Sequence, residues 1–165
     1  MLLKPDIKLG GITDITVELL NKHNIKALLL DVDNTMSTHH GVVLTEGLTE
    51  WIANMQQSGI KLMVLSNSKR FRVEPFAKRI GLPFISLGCK PLPIGYLRGV
   101  RALGQNRKNV AIVGDQIFTD ILGGNAVGVK TILLTPIRLE DGWSFKIRRN
   151  LEKKIYKKYN IKDEV

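Results

Sequence analysis

Apolar runs too short to be helices alternate with segments of helical periodicity, and this alternation most restricts the fold. Residues 26–32 read as a strand that is apolar on both faces, and 60–65, 84–87, 110–113 and 130–134 follow as further strands. Between them, 46–57, 71–80, 93–103 and 117–126 carry helical spacing. Gly59, Gly81 and Gly104 stand where the first three of these helices end, since glycine accepts the left-handed backbone that closes a helix. Strands that are apolar on both faces belong in parallel sheets covered by helices on each side. The alternation therefore predicts an α/β protein with a three-layer Rossmann-like parallel sheet. Residues 6–24 read as a lead-in with a short amphipathic helix on Ile12, Ile15, Leu19 and Leu20, capped by Thr13 or Asp14. Residues 35–45 read as a loop containing Gly41.

Polar clusters sit where the strands stop. Leu28-Leu29-Leu30 runs directly into Asp31-Val32-Asp33-Asn34-Thr35. Ser66 and Asn67 follow the second strand, Lys90 the third, and Asp115 the fourth. Parallel sheets place their sites beyond the carboxyl ends of their strands. Alternation puts Asp31 and Asp33 on one side. Two carboxylates so close repel, unless a cation lies between them or they divide acid and base roles. Each cluster alone is explained as a cap or turn; all of them at corresponding ends argue for one site.

Those groups suit phosphoryl transfer. Asp31 could attack phosphorus and carry the phosphoryl group. Asp33 could protonate the leaving oxygen and then activate water. Ser66, Asn67 and nearby N–H groups could hold phosphate oxygens, with Lys90 as an electrostatic clamp. Asp31, Asp115 and the main chain near Asp33 offer the hard oxygen ligands that Mg2+ prefers. Asp120 could support that metal from behind, or stabilise the following helix N-terminus.

In order, Asp31-Val32-Asp33-Asn34-Thr35, Ser66, Lys90 and Gly114-Asp115 with Asp120 resemble the motifs of the haloacid dehalogenase (HAD) phosphatase superfamily. The resemblance spans roughly residues 27–134. It implies that Asp31 is the nucleophile, Asp33 the general acid and base, Ser66 and Lys90 phosphate ligands, and Asp115 a magnesium ligand. An aspartate at position 33 points to phosphatases within that superfamily. Val113-Gly114-Asp115-Gln116-Ile117-Phe118-Thr119-Asp120-Ile121-Leu122-Gly123-Gly124-Asn125 further resembles the YqeG family of subfamily IIIA. That family is similar to the mitochondrial phosphatidylglycerophosphate phosphatase, which implies release of phosphate from phosphatidylglycerol phosphate. Met36 stands where leucine or valine is usual, and Ala126-Val127 where an arginine is more typical. The short gaps between motifs leave no room for a cap domain. An open crevice suits a lipid headgroup or a macromolecule better than a small metabolite, which needs enclosure.

Length and charge complete the expectation. The 165 residues suit a single domain, 1–165, with 143–160 as a basic C-terminal helix. No apolar run approaches the roughly 20 residues of a membrane span. The single cysteine, Cys89, fits a reducing compartment, so the expected location is cytoplasmic. The net charge of +10 points to anionic partners. Within 145–159, Ile147, Leu151, Ile155 and Tyr159 recur at helical spacing among Lys146, Arg148, Arg149, Lys153, Lys154, Lys157 and Lys158, against a lone Glu152. Such a helix either packs its stripe on the domain or lies on anionic lipid at the inner membrane face, with Trp143 and Phe145 at the interface. Binding of nucleic acid or the ribosome ranks behind the membrane.

His39 and His40 read as a solvated loop pair, Cys89 as structural, and Arg98 and Arg101 as surface charges. Lys69, Arg70 and Arg72 read as an exposed helix start, or as ligands of a second headgroup phosphate. The competing functions are a phosphatase for a phosphoprotein, sugar phosphate or nucleotide, a receiver-like signalling module, and a basic binding protein with a vestigial site. A receiver places its acidic pair and its phosphorylated aspartate on different strands, whereas Asp31 and Asp33 share one strand end.

Overall fold

The computed structural model describes residues 1–38, 43–138 and 142–164. Its six strands are β1 (Ile7–Leu9), β2 (Ala27–Leu30), β3 (Lys61–Leu65), β4 (Phe84–Ile85), β5 (Val110–Gly114) and β6 (Lys130–Leu134). They form one sheet in the order β1-β6-β5-β2-β3-β4. Every pairing is parallel, with Leu30 of β2 opposite Val64 on one side and Val113 on the other. From β2 the chain moves outward to β3 and β4, then returns to β5 on the other side of β2. This reversal opens a crevice at the carboxyl ends of β2 and β5, where such sheets bind ligands.

Side-chain alternation along the central strands divides the core into two layers. Leu28 and Leu30 pack with Leu20 of α1 (Val17–Lys22), Trp51 and Met55 of α2 (Leu48–Gln57), and Val73 and Phe76 of α3 (Arg70–Ile80). Ala27 and Leu29 face the opposite way, onto Tyr96, Val100 and Leu103 of α4 (Pro93–Leu103) and Val127 of α5 (Leu122–Val127). A helix α6 (Trp143–Tyr159) follows β6.

Several boundaries differ from the sequence expectation. The lead-in contains the edge strand β1, which has too few residues to show periodicity and is placed by its partner. The Asp6 carboxylate accepts from the Thr131 N–H at 2.9 Å, and the Thr131 hydroxyl accepts from the Asp6 N–H at 3.0 Å. Ile12–Asp14 is a 3-10 turn, and α1 starts later with Thr16 as its cap, whose hydroxyl accepts from the Leu19 N–H at 3.1 Å. Gly47 is left-handed at φ 74°, so α2 begins at Leu48. The segment expected as one helix over 117–126 is a π-helical turn, Ile117–Ile121, followed by α5. His39, His40 and Gly41 lie outside the described residues.

Gly95 in the first turn of α4 lets that helix touch the loop that carries Lys90: a Cβ there would overlap the carbonyl oxygen of Gly88. Overpacking against main chain costs roughly 1–3 kcal/mol. Gly95→Ala is therefore expected to lower unfolding free energy by about that amount, read from the urea denaturation midpoint.

Candidate active site

The end of β2 is held by its neighbour, because the Asp31 N–H donates to the Val113 carbonyl at 2.9 Å. The chain then turns tightly. The Val32 carbonyl accepts from the N–H groups of Thr35, Met36 and Ser37, and Asn34 takes a left-handed φ of 58°. Asparagine tolerates that conformation better than most residues. This turn leaves Asp31 and Asp33 lining the crevice, together with Ser66, Asn67, Ser68, Lys90, Gln116 and Thr119.

Lys90 is placed by a two-point clamp. The Asn67 side-chain oxygen accepts from the Lys90 N–H at 2.6 Å, and the Asn67 side-chain NH2 donates to the Lys90 carbonyl at 2.9 Å. The loop before it is stitched to the end of β3: the Gly88 N–H donates to the Ser66 carbonyl and the Leu87 N–H to the Ser68 carbonyl, each at 2.9 Å. The Ser66 hydroxyl accepts from the Ser68 N–H at 3.1 Å, so its oxygen has a fixed position in the crevice. From this anchor the Lys90 ammonium donates to Asp31 Oδ1 and Asp120 Oδ1, both at 2.7 Å. Burial alone would lower the ammonium pKa, but Asp120 and Asp31 outweigh it and hold the group above its ordinary value.

Asp120 reaches this point because Gly114 has no side chain. A Cβ on Gly114 would overlap the Asp120 carboxylate. The other Asp120 oxygen accepts from the Gln116 N–H at 3.2 Å. Carboxylate oxygens of Asp31, Asp115 and Asp120 lie within 4.8 Å of one another, and all three residues are buried. Burial pushes Asp115 up to about 8, with the nearby Asp31 and Asp120 charges adding to it and Arg149 opposing it. Burial likewise pushes Asp120 up, to about 6, against the pull of Lys90. Asp115 Oδ1 is buried with no hydrogen-bond partner. Crowded carboxylates and an orphaned hard oxygen atom fit a divalent cation.

The wall beyond Asp115 comes from α6, and sequence reading did not find it. One Arg149 nitrogen donates to Asp115 Oδ2 at 2.6 Å; the other donates to the Asp115 carbonyl at 3.0 Å and to Glu152 Oε2 at 2.8 Å. Glu152 Oε1 accepts from the Ile117 N–H at 3.0 Å, satisfying the start of the π-helical turn. Ile155 and Tyr156 pack on Ile117, Ile121 and Leu133. Phe145 and Arg148 line the crevice itself. The signal available in the sequence was the lone acid among the bases: Glu152 is the buried residue of the helix.

The remaining basic residues are distributed around this centre. Arg70 pairs with Glu74 at 2.9 Å and lies over Phe84. Arg72 borders Asp33, Ser66 and Ser68 in a small neighbouring pocket. Arg98 and Arg101 are exposed, and the exposed Cys89 thiol donates to the Leu87 carbonyl at 3.3 Å.

A doubly wound parallel sheet with a buried lysine between aspartates at its switch point defines an α/β protein whose polar site lies at the carboxyl ends of its central strands. The model of the haloacid dehalogenase-like hydrolase family matches residues 13–128. "Probable phosphatase YqeG" of Bacillus subtilis is 36% identical over 151 residues, covering 92% of this chain and 88% of that protein. The mitochondrial phosphatidylglycerophosphatase of Saccharomyces cerevisiae is 26% identical over 141 residues, covering 77% and 75%. A HAD family hydrolase from Deinococcus radiodurans, solved with bound phosphate and sodium, shares the fold at a TM-score of 0.54 and 15% identity, covering 86% of this chain and 100% of that one. The chain belongs to the haloacid dehalogenase-like hydrolase family, and within it is a phosphatase.

The raised carboxyl pKa of Asp115 fixes the sign of a pH effect. A group that binds its proton more tightly when folded stabilises the fold at low pH and loses that contribution as pH rises through its folded pKa. In EDTA, Tm is expected to fall between about pH 4 and pH 8, because the unfolded carboxyls ionise near 3.8 while folded Asp120 and Asp115 hold their protons up to about 6 and about 8, and to level off above. The depressed carboxyls of Glu74 and Glu164 act chiefly below this window. A divalent cation should raise Tm more at the alkaline end, because its ligands must be deprotonated. Differential scanning fluorimetry with and without the cation checks both, and Asp115→Asn should flatten the slope.

Proposed function

We propose that the chain is a Mg2+-dependent phosphatase that converts phosphatidylglycerol phosphate to phosphatidylglycerol through an aspartyl phosphate. The observation that carries the lipid assignment is the position of α6. One face of this helix lines the crevice through Phe145 and Arg148. Its opposite face exposes Trp143, at 81%, with Ile147 and Leu151 at successive turns among Lys146, Lys153, Lys154, Lys157 and Lys158. An amphipathic, lysine-rich helix carrying tryptophan suits the surface of an anionic bilayer. Exposed Phe71, Leu87, Leu92 and Ile94 lie in segments that follow β3 and β4, on the crevice side of the sheet. The name of the yeast relative points to the same substrate. No helix among the described residues is long and apolar enough to cross a membrane, so the contact proposed is peripheral.

In this reading an Asp31 oxygen attacks phosphorus as the bond to the leaving oxygen breaks. Asp33 gives its proton to the departing oxygen, then takes one from the water that hydrolyses the aspartyl phosphate. The Ser66 hydroxyl and Asn67 contact phosphoryl oxygens, with Asn67 also holding Lys90. The Lys90 ammonium orients Asp31 and offsets its charge. Asp31, Asp115 and the Asp33 carbonyl, with Asp120 behind them, would hold Mg2+, which would supply positive charge for the phosphoryl oxygens.

The first test measures phosphate release from phosphatidylglycerol phosphate in mixed micelles with Mg2+, beside soluble phosphomonoesters. Strong preference for the lipid, lost in Asp31→Asn, is the expected result. Turnover of soluble esters alone would favour a sugar phosphate, nucleotide or phosphoprotein and remove the lipid. Replacing Trp143, Ile147 and Leu151 together by serine should weaken co-sedimentation with anionic vesicles at least about tenfold. Unchanged sedimentation would remove α6 as the lipid-facing surface, and binding to RNA in its place would make the helix a nucleic-acid element.

A further inference from the structure

Among the described residues, Arg148 is a crevice-lining cation with no carboxylate in ion-pair contact. Lys90 is held between Asp31 and Asp120, and Arg149 between Asp115 and Glu152. Among the described residues, Arg148 instead donates one N–H to the neutral Gln116 side-chain oxygen, at 2.8 Å, and lies over the Phe145 ring at 5.2 Å. Both partners line the same crevice. A guanidinium has five N–H donors in a rigid fork; this one is held on its edge and its face, with full charge retained.

The sheet order fixes which side of the reacting centre this charge occupies. Ser66, Asn67 and Ser68 follow β3, Asp31 and Asp33 follow central β2, and Gln116 follows β5 on the far side. Arg148 is tied to Gln116, so it stands across the aspartates from Ser66. The crevice has a volume of about 220 Å³, more than a single phosphoryl group fills. A phosphoryl group over Asp31 therefore leaves room for its alcohol portion towards Arg148.

We propose that Arg148 binds a second anionic group, a phosphodiester, in the alcohol portion of the substrate, so that the crevice selects phosphomonoesters carrying a phosphodiester a few bonds from the scissile phosphate. The inference deepens the lipid phosphatase reading and rests on it. The planar fork matches two oxygens of a phosphodiester as it matches a carboxylate. Gln116 and Phe145 fix the fork before the substrate arrives, which lowers the entropy cost of recognition.

The test uses two soluble substrates, so that membrane contact plays no part: glycerophosphoglycerol phosphate, which has the diester, and glycerol 3-phosphate, which lacks it. The readout is the ratio of their kcat/KM values with Mg2+. In Arg148→Ala this ratio is expected to fall roughly ten- to a hundredfold, the size of a charge-assisted hydrogen bond, mainly through KM of the diester-bearing ester. Arg148→Lys should recover part of it. An unchanged ratio in Arg148→Ala, whether both substrates decline together or neither does, overturns the assignment, and a Tm equal to wild type shows that α6 has stayed docked. If the wild-type ratio is near one while phosphatidylglycerol phosphate in micelles is still hydrolysed, the subsite fails and the lipid reading stands. If neither the lipid nor its soluble headgroup is turned over but other esters are, both fail.

Discussion

The Lys90 ammonium, set 2.7 Å from both Asp31 and Asp120 with its side chain only 3% exposed, is the interaction on which the site depends. Taking an ammonium out of water costs several kcal/mol, repaid only when its partners are placed well. The fold places them from four loops at once. Asp31 comes from the end of β2, the Asn67 clamp from β3, Lys90 from the loop after β4, and Asp120 from the turn after β5. The close approaches at Gly88 and Gly114 exist to let these loops meet. Remove either carboxylate and the ammonium faces a single counterion in a buried space. Remove the lysine and the carboxylates repel one another.

The same site shows how neighbouring arginines acquire different work. Arg149 opposes, without overcoming, the burial and mutual repulsion that raise the Asp115 carboxyl. Arg148, one residue earlier, is turned to the crevice and, among the described residues, meets an amide and an aromatic ring. Helical geometry separates them: adjacent residues on a helix point about 100° apart, so one faces the cluster and the other the opening. Glu152 locks the arrangement by bonding both Arg149 and the Ile117 N–H.

Helix α6 is seated against the ordinary expectation for an amphipathic segment. The stripe with the clearest apolar spacing runs through Ile147, Leu151 and Ile155, of which Ile155 packs on the domain while Ile147 and Leu151 are exposed. The face that docks contains Phe145, Arg149, Glu152 and Tyr156. Polar groups on the docked face are matched by polar groups beneath it, Arg149 by the Asp115 carboxylate and Glu152 by the Ile117 N–H. Hydropathy cannot reveal that match, since complementarity resides in both surfaces and a periodicity describes only one.

Much was legible in the chain itself. Apolar runs bounded by glycine set the parallel sheet and the span of α4. Asp31, Asp33, Ser66, Asn67 and Lys90 stand at strand ends in the sequence and line one crevice in the fold. Such features are local, because period, caps and strand ends are encoded in adjacent residues. Edge strand β1, the π-helical turn, the Asn67 clamp and the α6 wall were not legible, since each exists only through a partner far along the chain. Local patterning determined the fold class and gathered the acids and the lysine at one end of the sheet. Only tertiary structure decided which oxygen each cation meets, and that Arg149 serves the cluster while Arg148 serves the opening, because those assignments depend on distances between segments that the sequence does not hold side by side.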